Sequence, residues 1–172
     1  MAWIFYLVLA LAGALWVGIR QGQINLYTFV DPSSWWRDLL FGVIAGAILI
    51  GVWEVARRYV GSAEHLEREL GELLGPLDFS EILALALLSG FAEELFFRGA
   101  VQGAWGWPLA TILFAGLHFG PGPTYRVWTV FAAIAGLVLA GLTVWTNNLL
   151  APVTTHVLVN GVNLWRLSKK PI

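Results

Sequence analysis

The stretch from Ser80 to Trp105 reads SEILALALLSGFAEELFFRGAVQGAW. It is long enough to cross a ~30 Å hydrocarbon core, which takes about 20 helical residues. Within it, Gly90–Gly99 sets two adjacent carboxylates, Glu93 and Glu94, and the guanidinium of Arg98 among apolar and aromatic neighbours. Ionisable groups in such a setting are costly, so they need a partner or a task.

The rest of the chain has the same character. Of its 172 residues 58% are hydrophobic and 12% charged, about half the charge of a soluble domain. This composition indicates an integral membrane protein forming one helical domain. The net charge of −1, with no basic patch bearing interleaved aromatics, gives no sign of nucleic-acid binding. The absence of cysteine excludes disulfides, thiol catalysis and thiolate metal sites. No Asp or Glu follows Glu94, so carboxylate chemistry in the second half must come from Glu93 or Glu94.

Working outward, apolar runs give about six spans: Ala2–Ile19, Leu39–Ala56, Ser80–Trp105, Pro108–Phe119, Val127–Thr146 and Leu150–Leu167. The first lacks a basic leader and reads as an uncleaved span rather than a signal peptide. The ten tryptophans fall near span ends, where the ring sits at headgroup level. Gly106-Trp107-Pro108, Gly120-Pro121-Gly122-Pro123 and Asn147-Asn148 punctuate the second half. Pro108 and Pro152 stand where a first-turn proline is tolerated.

Arg57, Arg58, Arg68, Arg126, Arg166, Lys169 and Lys170 fall on one side of this arrangement, and Arg20 and Arg37 on the other. Positive charge concentrates in the cytoplasm, so both termini are expected there. Between spans two and three, Leu66, Leu70, Leu73, Leu74 and Leu77 recur at helical spacing opposite Glu64, Glu67, Arg68, Glu69 and Glu72. This predicts an amphipathic helix on the cytoplasmic face or capping the bundle; charge runs of this kind are most often solvated connectors. His65 is expected to be exposed. Asp78 and Glu81 resemble a capping box opening span three. No internal repeat or low-complexity tract is present.

The expected fold is therefore all-α: a polytopic transmembrane bundle of about six spans with one amphipathic cytoplasmic helix. Residues 1–172 form a single membrane domain. Residues 1–79 supply the first spans and the connector, and 80–167 the core.

Three polar sets lie within the spans. Glu94 and Arg98, four apart, share a helix face and can pair; such a pair is ordinarily structural. Glu93 is rotated by about 100° from Glu94 and shares its face with Gly90, Ala86 and Phe97. Small Ser89 and Gly90 allow another helix to come close. Apolar surroundings bring an unpaired carboxyl toward the range a general base needs near neutral pH. In span four, His118 shares a face with Phe114. In span six, His156, Asn160 and Asn163 form one polar stripe flanked by Thr154 and Thr155; such stripes can also simply join helices. At 1.5 Å per residue, Glu93, His118 and His156 reach similar depths near mid-membrane. Three helices can thus bring Glu93, His118, His156 and Asn160 to one point.

These residues also form recognisable motifs. Glu93-Glu94-Leu95-Phe96-Phe97-Arg98 fits EExxxR, Phe114–His118 fits FxxxH, and His156–Asn160 fits HxxxN, preceded by Ala151-Pro152. Together, over about Ser80–Asn163, they resemble the CPBP family. These are the CAAX-protease and bacteriocin-processing proteins, also called the abortive-infection family and related to type II CAAX prenyl endopeptidases. Residues 1–79 carry no family signature.

The resemblance implies an intramembrane endopeptidase that cuts a membrane-associated peptide or protein within or near the bilayer. On it, Glu93 activates the hydrolytic water with help from His118. His156 and Asn160 stabilise the oxyanion, while Glu94 and Arg98 hold the geometry. No cofactor is needed in that scheme. The family is often labelled metalloprotease, so the alternative is a zinc enzyme with Glu93, His118 and His156 as ligands, although HExxH is absent. The other readings are a non-catalytic scaffold or immunity-type protein and a Glu/His proton-relay transporter. The short chain suits a multi-pass protein of a prokaryotic inner or plasma membrane.

Overall fold

The computed structural model describes residues 2–169. Lys170, counted among the cytoplasmic charges, lies outside the described residues. The chain is all-helical among those residues: α1 (Ala2–Gln21), a 3₁₀ turn (Leu26–Thr28), α2 (Trp35–Tyr59), α3 (Gly61–Leu74), α4 (Phe79–Glu94), a π-helical segment (Leu95–Gln102), α5 (Gly103–Trp105), α6 (Trp107–Leu117), α7 (Thr124–Thr146) and α8 (Leu150–Ser168).

Local chemistry sets several of these boundaries. Asp78 opens α4 with a complete capping box. The Glu81 N–H donates to Asp78 Oδ1 at 2.8 Å, and the Asp78 N–H to Glu81 Oε2 at 2.9 Å. The Ser80 hydroxyl, and then the Glu81 N–H, hold the Asp78 carboxyl below the ordinary aspartate range. Gly75, at φ +67°, closes α3 in a conformation that side-chain-bearing residues rarely adopt. Pro108 sits in the first turn of α6, and Asn147 ends α7 in the left-handed region.

The expected six apolar segments are all helical, but they are not six equal spans. Three helices, α1, α2 and α7, are long and apolar enough to cross a membrane; a fourth is reached by counting α3 with Phe79–Trp105, a pair bent by 110°. The eleven residues of α6 extend only about 16 Å at 1.5 Å per residue, half of a bilayer core. α8 carries the polar stripe that lowers its apolarity.

α8 packs between α2 and α4. A Cβ on Gly42 of α2 would stand 2.7 Å from the Ala151 carbonyl and from Thr154 Cβ, and one on Gly90 of α4 would stand 2.7 Å from Val157 Cγ2. Backbones this close need small residues at the crossing. Thr155 ties the first crossing together, donating to the Gly42 carbonyl at 3.0 Å.

α3 is more than a solvated connector. Ala63 and Leu66 are buried in a core with Leu49, Trp53, Phe131 and Val159. Glu67, assigned by periodicity to the polar face, is buried and accepts from Trp53 Nε1 at 2.9 Å. Leu73 and Leu74, assigned to the apolar face, are exposed. The docking face is thus rotated from the leucine stripe, because Trp53 offers a donor that draws a carboxylate inward. His65 is exposed, as expected.

Each end of the bundle has its own polar fastening. At one, buried Asp38 accepts from Asn148 Nδ2 at 2.7 Å and from Arg37, pinning the start of α2 to the α7–α8 turn. At the other, Glu54 pairs with Arg57, Arg58 and Arg166, joining α2 to α8.

Candidate active site

The helix that carries the two glutamates changes pitch immediately after them. From Leu95 to Gln102 it widens into a π-helix, a form with i→i+5 bonding that occurs frequently at functional sites. Arg20 of α1 donates to the Gly99 and Gly103 carbonyls at 3.0 and 3.1 Å. Arg98 and Gln102 donate from this segment to the Gly136 and Ala140 carbonyls of α7, at 3.3 and 3.2 Å. The widened segment is therefore held from two sides.

Arg98 is wholly enclosed. Its Nη1 donates to Glu94 Oε1 at 2.9 Å, and its guanidinium lies 4.3 Å from the Phe114 ring centroid. Both side chains of the Glu94–Arg98 pair are fully buried. The aromatic face and the carboxylate offset part of the lost hydration of Arg98, while Arg98 Nε and Glu94 Oε2 stay without partners.

His156 enters from α8. Its Nδ1–H donates to Glu94 Oε1 at 2.7 Å, so Glu94 Oε1 accepts from both α8 and Arg98. On the other edge of the ring, Nε2 lies 3.9 Å from Glu93 Oε2. Glu93 Oε2 is buried and accepts no hydrogen bond. Oε2 of Glu94 is likewise buried without a partner, so the two glutamates differ at Oε1: that of Glu94 is fixed by two donors, Arg98 and His156.

His118 is the last residue of its helical turn. It caps α6, and its Nδ1–H donates to the Phe114 carbonyl at 2.8 Å. Its ring packs edge-on against Trp128. In both histidines Nδ1–H is committed. When neutral, each therefore carries an unprotonated Nε2, which accepts rather than donates.

Asn160, one turn after His156, donates from Nδ2 to Ser89 Oγ at 2.9 Å. Glu93, His118, His156 and Asn160 all line one cavity of about 300 Å³. Its walls are mainly apolar and reach Leu73 and Leu74 of α3 and Leu164 and Leu167 of α8. Asn163, the next residue of the stripe, lines it too. A polar cluster at one end of an apolar cavity is the usual form of a small binding or reaction site.

Sequence reasoning overlooked several members. Tyr6 of α1 and the Trp53–Glu67 pair line the same cavity. For Tyr6 and Trp53 the one available signal is a polar atom on an apolar helix; Glu67 is one charge among several on α3. The sequence marks Ser89 only as a small residue.

Zinc is the metal to test against this geometry. Its ligand set would be Glu93, His118 and His156, whose Nε2 atoms and free carboxylate oxygen are suitable donor types. Among the described residues, however, no group of three or more His, Cys, Asp or Glu is placed to hold a metal ion. The set does not fit a metal ion as arranged.

Comparison with known proteins agrees with this picture at the level of family. The family model described as type II CAAX prenyl endopeptidase Rce1-like matches residues 75–162, just over half of the 172 residues. That range begins at the turn before α4 and ends within α8, so it contains both glutamates, Arg98, both cavity histidines and Asn160. The uncharacterized protein YpbD of Bacillus subtilis (strain 168) is 38% identical over 156 residues, covering 89% of this chain and 79% of the relative. No solved structure matches. The chain is thus a membrane protein of the Rce1-like family, a family of type II CAAX prenyl endopeptidases.

Proposed function

We propose that the protein is an intramembrane endopeptidase in which Glu93 activates water against a substrate carbonyl. The observation that carries this reading is the buried, unengaged Glu93 Oε2, 3.9 Å from His156 Nε2 in a cavity shared with His118 and Asn160. A buried carboxylate oxygen without a donor is costly unless it has a task.

In this scheme the water gives a proton to Glu93 while its oxygen forms a bond to the carbonyl carbon. Charge moves onto the carbonyl oxygen. The C–N bond then breaks, and Glu93 returns the proton to the leaving nitrogen. Neutral His118, with Nδ1–H held by the Phe114 carbonyl, accepts from the water through Nε2. Asn160 donates from its amide to the oxyanion. His156 donates from Nε2, which requires the imidazolium form because Nδ1–H is already given to Glu94. That form balances the site, with two carboxylates facing Arg98 and His156. Glu94 and Arg98 fix the imidazole.

The substrate is a membrane-associated peptide or protein reaching the cavity past α3 and the end of α8, within the bilayer. The cluster Glu54, Arg57, Arg58 and Arg166, with Arg126 and Lys169, marks the cytoplasmic end of the molecule. Both termini then face the cytoplasm, of a prokaryotic inner or plasma membrane.

The test is purified protein in liposomes, offered two quenched fluorescent peptides: one ending in a prenylated CAAX sequence, one an unprenylated transmembrane segment. Cleavage of either at one bond, identified by product mass, is expected. Intact peptides in both cases would reject the peptidase reading. Activity should survive chelation in a sample shown metal-free by elemental analysis; loss restored by zinc alone would overturn the metal-free mechanism.

A further inference from the structure

Besides the His156–Glu94 hydrogen bond, a second polar contact joins α4 to α8, between Ser89 and Asn160. Ser89 is buried and lines the cavity beside Glu93. Its hydroxyl donates to the Ala86 carbonyl at 3.4 Å, and its oxygen accepts from Asn160 Nδ2 at 2.9 Å.

A hydroxyl has a single hydrogen. With that hydrogen turned to Ala86, Ser89 presents only lone pairs to Asn160. The amide of Asn160 has two unlike faces, an NH₂ group and a carbonyl oxygen. In that rotamer Ser89 accepts from the amide nitrogen and repels the amide oxygen; meeting the oxygen instead would mean turning the hydrogen away from the Ala86 carbonyl. One N–H is used in this contact, which leaves the second for the cavity.

We propose that Ser89 is the positioning residue that sets which face of Asn160 a reacting carbonyl meets. An oxyanion needs a donor; a flipped amide would offer a repelling oxygen. Ser89 and Glu93 are four apart on α4 and share a face. The base and the group orienting the oxyanion donor thus move as one unit, whatever α4 does relative to α8. The inference rests on the peptidase reading and adds to it a residue outside the three motifs.

The experiment is a double-mutant cycle on the liposome-reconstituted protein, using whichever fluorescent peptide the wild type cleaves. Ser89→Ala removes the acceptor without adding bulk. It should lower kcat by about tenfold, less than removal of a whole oxyanion donor, and leave KM within about twofold. Ser89→Thr keeps the hydroxyl and should retain most of the rate. In an Asn160→Ala background, Ser89→Ala should have no further effect, since coupled groups are not additive. Multiplicative losses would overturn the orienting role, as would a Ser89→Ala variant that melts lower yet turns over normally. Glu93→Gln is run alongside. If it cleaves like wild type, the peptidase reading itself fails. If it is inactive while Ser89→Ala is fully active, the orienting role alone fails.

Discussion

His156 is hydrogen-bonded to Glu94 and not to Glu93: its Nδ1 lies 2.7 Å from Glu94 Oε1, whereas its Nε2 stands 3.9 Å from Glu93 Oε2. One imidazole thus reads both glutamates, taking orientation from the first and facing the second. Glu94 in turn is fixed by Arg98 at 2.9 Å. The order of dependence runs from Arg98 through Glu94 to His156, and ends at the cavity.

His156 as an imidazolium donor predicts a bell-shaped pH dependence of kcat/KM. The acid limb reports protonation of Glu93, and the alkaline limb loss of the second imidazole proton as pH rises. His156→Ala should cost about 10²–10³ in kcat, the range for removing one oxyanion donor, and should abolish the alkaline limb. A variant that keeps that limb would assign it to another group.

Arg98 should matter more to folding than to chemistry. Arg98→Ala strips a buried carboxylate of one of its two donors and removes the ring contact with Phe114. Breaking a buried pair costs about 3–5 kcal/mol, which thermal unfolding in detergent would register as a large fall in Tm. Arg98→Lys keeps the charge without the planar fork and should fall between. An Arg98→Ala protein as stable as wild type would remove the structural role.

Gly90 sets how closely α4 approaches α8. An added Cβ would lie 2.7 Å from Val157 Cγ2 and 3.1 Å from the Val157 nitrogen. Gly90→Ala should therefore destabilise by about 1–3 kcal/mol, as overpacking does. It should also reduce kcat by moving Glu93 away from His156. Adding Val157→Ala relieves the side-chain clash but leaves the backbone one, so stability should recover only in part. Full recovery, or no initial loss, would contradict the close crossing.

Much of this arrangement is legible in the sequence because it depends on short-range rules. The capping box at Asp78, the helix start at Pro108 and the Glu94–Arg98 pair follow from residues three or four apart. Convergence of the polar sets followed from depth, which needs only the rise per residue. What stayed hidden depends on the rotation of one helix about its axis relative to another. Ser89 meeting Asn160 is of that kind, and so is His156 choosing Glu94. Glu67 was assigned to the solvent face because a charged residue opposite a leucine stripe ordinarily lies there. The donor that buries it, Trp53, belongs to a different helix. The π-helical segment has no mark in its residues; it is held by Arg20 on one side and by the bonds of Arg98 and Gln102 to α7 on the other. The count of six spans rested on apolar runs alone; the fourth run, Pro108–Phe119, is already short in the sequence, and α6 has eleven residues.

The central claim is that Glu93, and not its neighbour, is the base. Glu93→Gln removes the basic oxygen while keeping size and shape. In the liposome assay it should lose about 10²–10⁴ of kcat, the usual worth of a general base, with Tm close to wild type. The inactive variant should retain peptide binding. A Glu93→Gln protein that is correctly folded and cleaves at the wild-type rate would contradict the account.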